Sequence, residues 1–452
     1  MCGILGFFSP TEKISLTDFS SMLYKLKHRG QDSCGISFLI KGRIDNINKK
    51  NFSNLDDVIE RMYNNHQFSN IVGHVQYITS SKESPIMQPR KSKNAFGSYS
   101  FAFNGNIPTH LYEKYNHYTA DTLLIEDFMN NNSYKHSQWE TLLEEFINTF
   151  RRSYSLFIQT KNGNYIMRDR CGVRPLYYLK QPNQTYIFTS ETCVFSNGKY
   201  DKNNIVEVKP GEIISLKNGL LVKINVKPPS SIKESHCLFE YIYFLKSESI
   251  FADVKVKDYR CLVGEKMGLM DRDFYKNNTV KIQIVMGVPN TGNDYARSYA
   301  DAAELEYCDY ITKNKNVDRT FILKNEEERN RQANQKYVFD GRMKGENIVL
   351  VDDSLVRGVT MNSLVKRLLE FGVNEIHIRI TSPPVIAPCN YGIDIPTREE
   401  LIYNTYSGEK VLADYFGCSS LKYFNLEYHR DVVPDFNKKC VECFSPSGKY
   451  EW

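Results

Sequence analysis

No stretch of the chain approaches the roughly 18 consecutive apolar residues of a membrane span, so none is expected. Charge of one sign is also scarce. The formal balance is +5 over 452 residues with Lys and Arg scattered, which excludes a nucleic-acid-binding stripe and leaves a mild attraction for small anions. There are no internal repeats and no heptads, so solenoids and coiled coils are excluded. The opening MCGILGFFSPTEK has no basic segment ahead of its short apolar run, which argues against a secretory signal. Without export, the 11 cysteines are expected as free thiols or metal ligands rather than a disulfide framework, and the location as cytoplasmic.

What is present is an ordinary globular composition, 41% hydrophobic and 25% charged. Single cores stop growing near ~250–300 residues, so two or three domains are expected. Residues 1–225 alternate short β-rich runs (CGILGFF, SNIVGHVQYI, SYSFAFNGNI, NYIMRDRCGV, TYIFTS, GEIISL) with turns. Helical patterns interrupt them at about 16–28, 120–130 and 138–150. The Pro- and Ser-rich VKPPSSIKESH breaks the periodicity, and the domain boundary is drawn there, giving 1–230 and 231–452. Beyond it the strands KIQIVMGVP, RTFIL, NIVLVDD and EIHIRITSPP alternate with helical stretches such as VTMNSLVKRLLEFG. That alternation predicts a mainly parallel sheet with crossover helices. The tail FNKKCVECFSPSGKYEW is short, polar and cysteine-bearing.

Cys2 directly follows the start methionine. Once that methionine is trimmed, one residue carries both a thiol and a free α-amine, a nucleophile with its own general base. A lone cysteine is otherwise usually inert. In the second half, NIVLVDDSLVRGVTMNS sets a buried strand ahead of Asp352 and Asp353, then a turn from Ser354 to Thr360 leading into a helix. Backbone N–H groups and hydroxyls at a helix N-terminus favour a phosphate, and Gly358 allows close approach. Two adjacent carboxylates suit the vicinal hydroxyls of a ribose or a hydrated Mg²⁺ shared with one. The structural alternative is a strand, loop and helix with two solvated aspartates.

This stretch resembles the phosphoribosyl pyrophosphate (PRPP) signature of type I phosphoribosyltransferases, and the longer string is closer still to the glutamine-dependent amidophosphoribosyltransferases. CLFEYIYF at 237–244, GVPNTG at 287–292, DRTFI at 318–322 and SPPVIAPCNYGIDIPTREELI at 382–402 run in that family's order. The first half resembles class II glutamine amidotransferases, which are N-terminal-nucleophile hydrolases. It carries CGILG at 2–6, HRGQDSCGIS at 28–37, GHVQY at 73–77, NGNI at 104–107 and RDRCGVRPL at 168–176.

The resemblance implies an αββα sandwich (α+β) followed by an α/β phosphoribosyltransferase domain. It implies Cys2 as nucleophile, with Asn104 and the Gly105 N–H as oxyanion hole. Asp121, Arg29 and Gln76 would line the glutamine pocket, with Thr79 in its wall. Asp352 and Asp353 would hold the ribose hydroxyls and Mg²⁺, and Ser354, Val356, Arg357, Gly358, Val359 and Thr360 would cradle the 5-phosphate. Val288 to Gly292 would face the pyrophosphate. The segment 323–342 would close over the site, bringing Arg329 and Lys336 to the pyrophosphate.

Three positions depart from the family pattern. Gln76 stands where relatives carry an Arg for the α-carboxylate of glutamine, which replaces a charged fork by neutral donors worth ~1.5–3 kcal/mol less. Asn290 replaces an acid, and Val359 a hydroxyl residue. Cys440 and Cys443 form a C-x-x-C pair, which alone fits a metal half-site, a redox pair or coincidence. One branch of the family holds a 4Fe–4S cluster on four cysteines, whose places are taken here by Cys237, Cys389, Cys440 and Cys443. Four thiolates also fit tetrahedral zinc.

The expected activity is hydrolysis of glutamine at Cys2 and internal transfer of ammonia to PRPP, giving 5-phosphoribosylamine, glutamate and pyrophosphate in the first step of purine synthesis. The rivals are an ammonia-dependent transferase whose glutaminase is impaired by Gln76, and a non-catalytic nucleotide-binding regulator. The expected partners are small molecules and further copies of the chain, as homodimer or homotetramer, with no nucleic acid and no membrane.

Overall fold

The computed structural model describes residues 1–64, 66–77, 86–196, 198, 200–226, 233–277, 281–314, 337–395 and 397–445. Arg329, Lys336, Thr79, the string DRTFI and most of the boundary stretch around 230 lie outside these residues, so the closing segment is described only from 337 onward.

The amino-terminal half is built on two antiparallel sheets. The strand Gly3–Phe8 is buried along all six residues, as its unbroken apolar run demands. It sits at the centre of a seven-stranded sheet, between Thr185–Thr189 and Asn70–Gln76. The second sheet has six strands, including Gly97–Asn106 beside Ser153–Thr160. Ile4, Phe8, Val72, Ala102, Phe157 and Ile166 pack between the two sheets. Helices Leu16–Tyr24 and Phe52–Tyr63 pack against the outer face of the first sheet, and Asp121–Asn132 and Trp139–Thr149 against that of the second. The result is the αββα sandwich expected from the sequence.

The carboxy-terminal half holds a five-stranded, all-parallel sheet. Its order is Glu306–Tyr307, Ile284–Gly287, Asn347–Asp352, Glu375–Ile380 and Ser420–Tyr423. In chain order this reads 2-1-3-4-5, so strand order reverses between Ile284–Gly287 and Asn347–Asp352. Ligands of open α/β sheets bind in the crevice at the carboxyl ends beside such a reversal. Two helices pack unusually closely on one face, Val256–Asn277 against Thr291–Ala303. A Cβ on Gly264 would lie 2.3 Å from the Tyr295 carbonyl oxygen, and one on Gly268 would lie 2.4 Å from that of Tyr299, so glycine sets the approach.

Two long helices stand among the elements that the sequence reading does not name. Phe52–Tyr63 presents Phe52, Leu55 and Ile59 to the core and is capped by Asn51, whose side chain accepts from the Asn54 N–H. Val256–Asn277 buries Arg260 and Asp271 along with its apolar residues, which blurs its stripe. Among the described residues no helix is long and apolar enough to cross a membrane.

Candidate active sites

Cys2 precedes the central strand of the first sheet and is half-buried. Its backbone nitrogen lies 3.3 Å from Asn104 Oδ1, and its Sγ lies 3.9 Å from the Tyr77 carbonyl oxygen. Asn104 and Gly105 end the strand Gly97–Asn106. Asn104 is 2% exposed, yet its Nδ2 has no hydrogen-bond partner. A buried, unpaired amide donor costs about 1–3 kcal/mol, which a ligand oxygen would relieve. At Gly105 a Cβ would come within 2.2 Å of the Ser153 carbonyl oxygen, so the adjoining strand admits no side chain there.

A small cavity opens beside Cys2, walled by Gln76, Gln88, Phe103, Gly105, Asp121 and Thr122. Asp121 begins its helix, and burial pushes its carboxyl up to about 6. Burial also pushes the Cys2 thiol up; the amino terminus works the other way, as does Arg29 more weakly. Gln76 is nearly buried: its Oε1 accepts from Ser33 Oγ at 2.8 Å and its Nε2 donates to the Ile86 carbonyl at 2.9 Å. One N–H of that amide remains for a ligand.

Arg29, expected beside glutamine, is not among the cavity's walls. It is 2% exposed and its donors are spent elsewhere. Nε donates to the Cys2 carbonyl at 3.1 Å, Nη1 to Glu191 at 3.0 Å, and Nη2 to Glu240 at 2.9 Å. Burial works to raise the Glu191 carboxyl, but His28 and Arg29 outweigh it and hold it below the usual range. His28, Glu191 and Cys193 lie close enough to bind a metal ion, but the guanidinium already takes the cation's place.

The carboxy-terminal half closes on this site. Asn106 Nδ2 donates to the Asn390 carbonyl at 3.0 Å, and Tyr77 OH to Asp394 Oδ2 at 3.1 Å. Arg174 donates through Nε to the Tyr391 carbonyl at 3.1 Å. Gly392, at φ +97°, lies against the Gly105 backbone. Glu240, Arg174 and Tyr391 were missed as functional residues. Their signal was visible, because Glu240 and Arg174 are charges inside the mainly apolar strings CLFEYIYF and CGVRPL, and buried charges need partners.

At the sheet reversal, Val288 to Gly292 and Asp352 to Thr360 leave adjacent strands on the same edge. Val288 N–H donates to the Val351 carbonyl at 2.8 Å, and a Cβ on Gly292 would lie 2.6 Å from that same oxygen, which fixes the two loops together. Asp353 is nearly buried and accepts from Ser354 Oγ at 2.6 Å, while Asp352 Oδ1 accepts from the Asp353 N–H at 2.9 Å. Gly358, at φ +74°, starts the helix Val359–Phe371, whose first N–H groups open onto this turn. Val356 is partly buried and Ile402 N–H bonds its carbonyl at 2.9 Å; Val359 and Thr360 are exposed. Arg357 is turned outward to Glu400, Nε to Oε2 2.9 Å.

The four cysteines converge. Cys237 pairs with Cys440 across a short parallel ladder, His236–Cys237 with Lys439–Cys440. The Cys443 carbonyl accepts from the Ile386 and Ala387 N–H groups, and Cys389 Sγ from the Tyr391 N–H at 3.3 Å. Burial pushes the Cys440 and Cys443 thiols well up, and the neighbouring sulfurs of Cys237 and Cys389 add to it. Such a set fits a cationic metal centre, which would stabilise the thiolates. Among the described residues three ligand atoms lie mutually within 4.8 Å only at His28, Glu191 and Cys193. No three of the four thiols lie that close together.

Residues 79–197 match the model of a glutamine amidotransferase domain. The chain is 30% identical to amidophosphoribosyltransferase of Archaeoglobus fulgidus, over 98% of this chain and 97% of the relative. It is also 30% identical to that of Staphylococcus aureus (strain MRSA252), over 100% and 92%. Among solved structures it is similar to glutamine PRPP amidotransferase from B. subtilis complexed with ADP and GMP. The TM-score is 0.81 at 25% identity, covering 98% of this chain and 96% of that one. The chain belongs to the amidophosphoribosyltransferase family.

Proposed function

We propose that this chain is a glutamine-dependent amidophosphoribosyltransferase with two reaction sites. Residues 1–230 form the glutaminase and 231–452 the transferase. The observation that carries the first is the unpaired Asn104 Nδ2 beside Cys2. Removal of Met1 leaves a free α-amine at the Cys2 nitrogen, already beside Asn104 Oδ1. The amine takes the thiol proton, and the thiolate attacks the side-chain carbonyl of glutamine. Asn104 Nδ2 and the Gly105 N–H then stabilise the oxyanion. Asp121 holds the substrate's ammonium, and Gln76 offers a neutral N–H to its carboxylate. As the intermediate collapses the C–N bond breaks, the α-ammonium returns its proton to the departing nitrogen and ammonia leaves; water then hydrolyses the thioester, releasing glutamate and restoring the thiol.

In the second site Asp352 and Asp353 hold the ribose hydroxyls of PRPP, and the turn from Ser354 to Thr360 with its helix N-terminus holds the 5-phosphate. Val288 to Gly292 faces the pyrophosphate, with Lys336 as a further contact. Ammonia displaces pyrophosphate from C1. Mg²⁺ fits the hard oxygen donors of Asp352 and Asp353, and when bound it neutralises phosphate charge. A 4Fe–4S cluster on Cys237, Cys389, Cys440 and Cys443 would tie the tail to the transferase core. None of the 11 cysteines forms a disulfide among the described residues, in keeping with a cytoplasmic location. Association into a homodimer or homotetramer is supported by the apolar residues Leu262, Leu269, Met270 and Phe274 exposed on one helix.

The test compares pyrophosphate release from PRPP driven by glutamine with that driven by ammonium, in the unaltered protein and in Cys2→Ala. The variant should lose only the glutamine-driven rate. Glutamine activity surviving without the thiol refutes the assigned nucleophile, and ammonium-only activity in the unaltered protein assigns the impairment to Gln76.

A further inference from the structure

We propose that Glu240, which belongs to the transferase half, is a positioning residue for the glutaminase nucleophile: through Arg29 it fixes the Cys2 carbonyl, and through Arg174 the segment lying on Gly105. This rests on the reading of Cys2 as nucleophile and deepens it.

An amino-terminal residue is poorly held by its own chain. Once Met1 is removed, Cys2 is tied covalently on one side only, to the strand Gly3–Phe8. What remains to orient it includes the hydrogen bond from Arg29 Nε to its carbonyl. That bond is as firm as the seating of the guanidinium. Glu240 seats it with a fork: Nη2 to Oε1 at 2.9 Å and Nη1 to Oε2 at 3.1 Å. A two-point pair of this kind sets an angle as well as a distance. Glu191 touches Arg29 at one point, because its carboxylate is shared with His28 at 2.7 Å, the Lys246 N–H at 2.6 Å and Ser249 Oγ at 2.8 Å.

Glu240 stands on firm ground of its own. It is fully buried at the start of the tight turn Glu240–Phe244. Arg260 donates to the Tyr241 carbonyl at 3.0 Å and to the Leu245 carbonyl at 2.6 Å, and Tyr295 OH donates to the Ile242 carbonyl at 2.9 Å. Arg260 and Tyr295 lie on the two closely packed helices of the transferase half. The same Glu240 carboxylate also accepts from Arg174 Nη1 at 3.3 Å, and Arg174 holds the Tyr391 carbonyl next to Gly392. One acid therefore braces the nucleophile on one side and the oxyanion strand on the other. The charged groups around the nucleophile are Arg29, Arg174, Glu240, Glu191, His28 and Asp121.

The test uses the full-length protein with E240Q and E240D. Three quantities are read: glutamate release, ammonium-driven pyrophosphate release, and the pH midpoint of Cys2 alkylation by iodoacetamide, located by mass spectrometry of the amino-terminal peptide. E240Q keeps the shape but removes the charge that offsets two arginines. It is expected to lower kcat for glutamate release about tenfold or more, with KM for glutamine changed less than about threefold. Ammonium-driven release should stay within about twofold, and the alkylation midpoint should move to lower pH because the thiolate meets less negative charge. E240D restores the charge and should bring the midpoint back. Glutamate release within about twofold of the unaltered protein, with an unmoved midpoint, overturns the proposal. If E240Q loses both activities, E240D decides: selective loss of glutamate release supports the brace, and equal loss of both rates overturns it. An unaltered protein that releases no glutamate refutes the glutaminase reading instead, and the alkylation midpoints still decide the role of Glu240.

Discussion

Gly392→Ala is expected to slow glutamine hydrolysis while sparing ammonium-driven transfer. Gly392 has φ +97°, and a Cβ built on it would lie 3.0 Å from the Gly105 carbonyl carbon and 3.1 Å from its oxygen. Two effects follow. Left-handed backbone costs an alanine about 1–2 kcal/mol in stability, and the contact is too tight to persist, so one of the two backbones must give by a few tenths of an ångström. Gly105 has little room to retreat, because its own α-carbon faces the Ser153 carbonyl oxygen. Complete loss of an oxyanion donor lowers kcat by about 10²–10³, and a misplacement near 1 Å costs about 10². A shift of a few tenths therefore corresponds to roughly a tenfold loss, or about 1.4 kcal/mol in the barrier. The assay is glutamate release at saturating glutamine, run beside pyrophosphate release with ammonium. Glutamate release within about twofold of the unaltered protein would refute the reasoning, as would an equal loss of both rates.

Because burial raises the Asp121 carboxyl to about 6, acidification through that value neutralises the group proposed to hold the substrate's ammonium. KM for glutamine should rise below about pH 6 and level off above it, and Asp121→Asn should bind glutamine weakly throughout; a flat KM between pH 5 and 8 contradicts this. Asp352→Asn should abolish pyrophosphate release with either nitrogen source and leave glutamate release measurable, whereas retained synthesis removes this carboxylate from the site. Gln76→Arg should lower KM for glutamine about ten- to a hundredfold, as a charged fork exceeds neutral donors by about 1.5–3 kcal/mol. It should also lower stability by about 1–3 kcal/mol, since the Ser33 hydroxyl loses its acceptor; a denaturation midpoint and a KM series check the two together.

Residues with continuous apolar context were the most legible. CGILGFF and NIVLVDD read as buried strands because few other placements satisfy four or more consecutive apolar side chains. The helix Val256–Asn277 was not read, because Gly264 and Gly268 weaken local propensity and are explained only by the partner helix they press against. Cys2, Gly105 and Asp121 line one cavity, with Asn104 against the Cys2 nitrogen, although 119 positions separate Cys2 from Asp121, and only motif resemblance bridged that distance. Arg29 shows the limit. Its motif was plain, but its direction depends on Glu240, 211 residues further on, and no local pattern encodes a pairing of that span.

The strip Cys389–Asp394 and the acid at 240 have a consequence for how this protein could be rebuilt. A glutaminase cut at the boundary and grafted onto another acceptor module would leave Arg29 and Arg174 as buried cations with a major counter-charge gone, and the rim at Gly105 bare to water. Such a chimaera would have to bring both pieces along. The ammonia-making machine is thus finished by its customer.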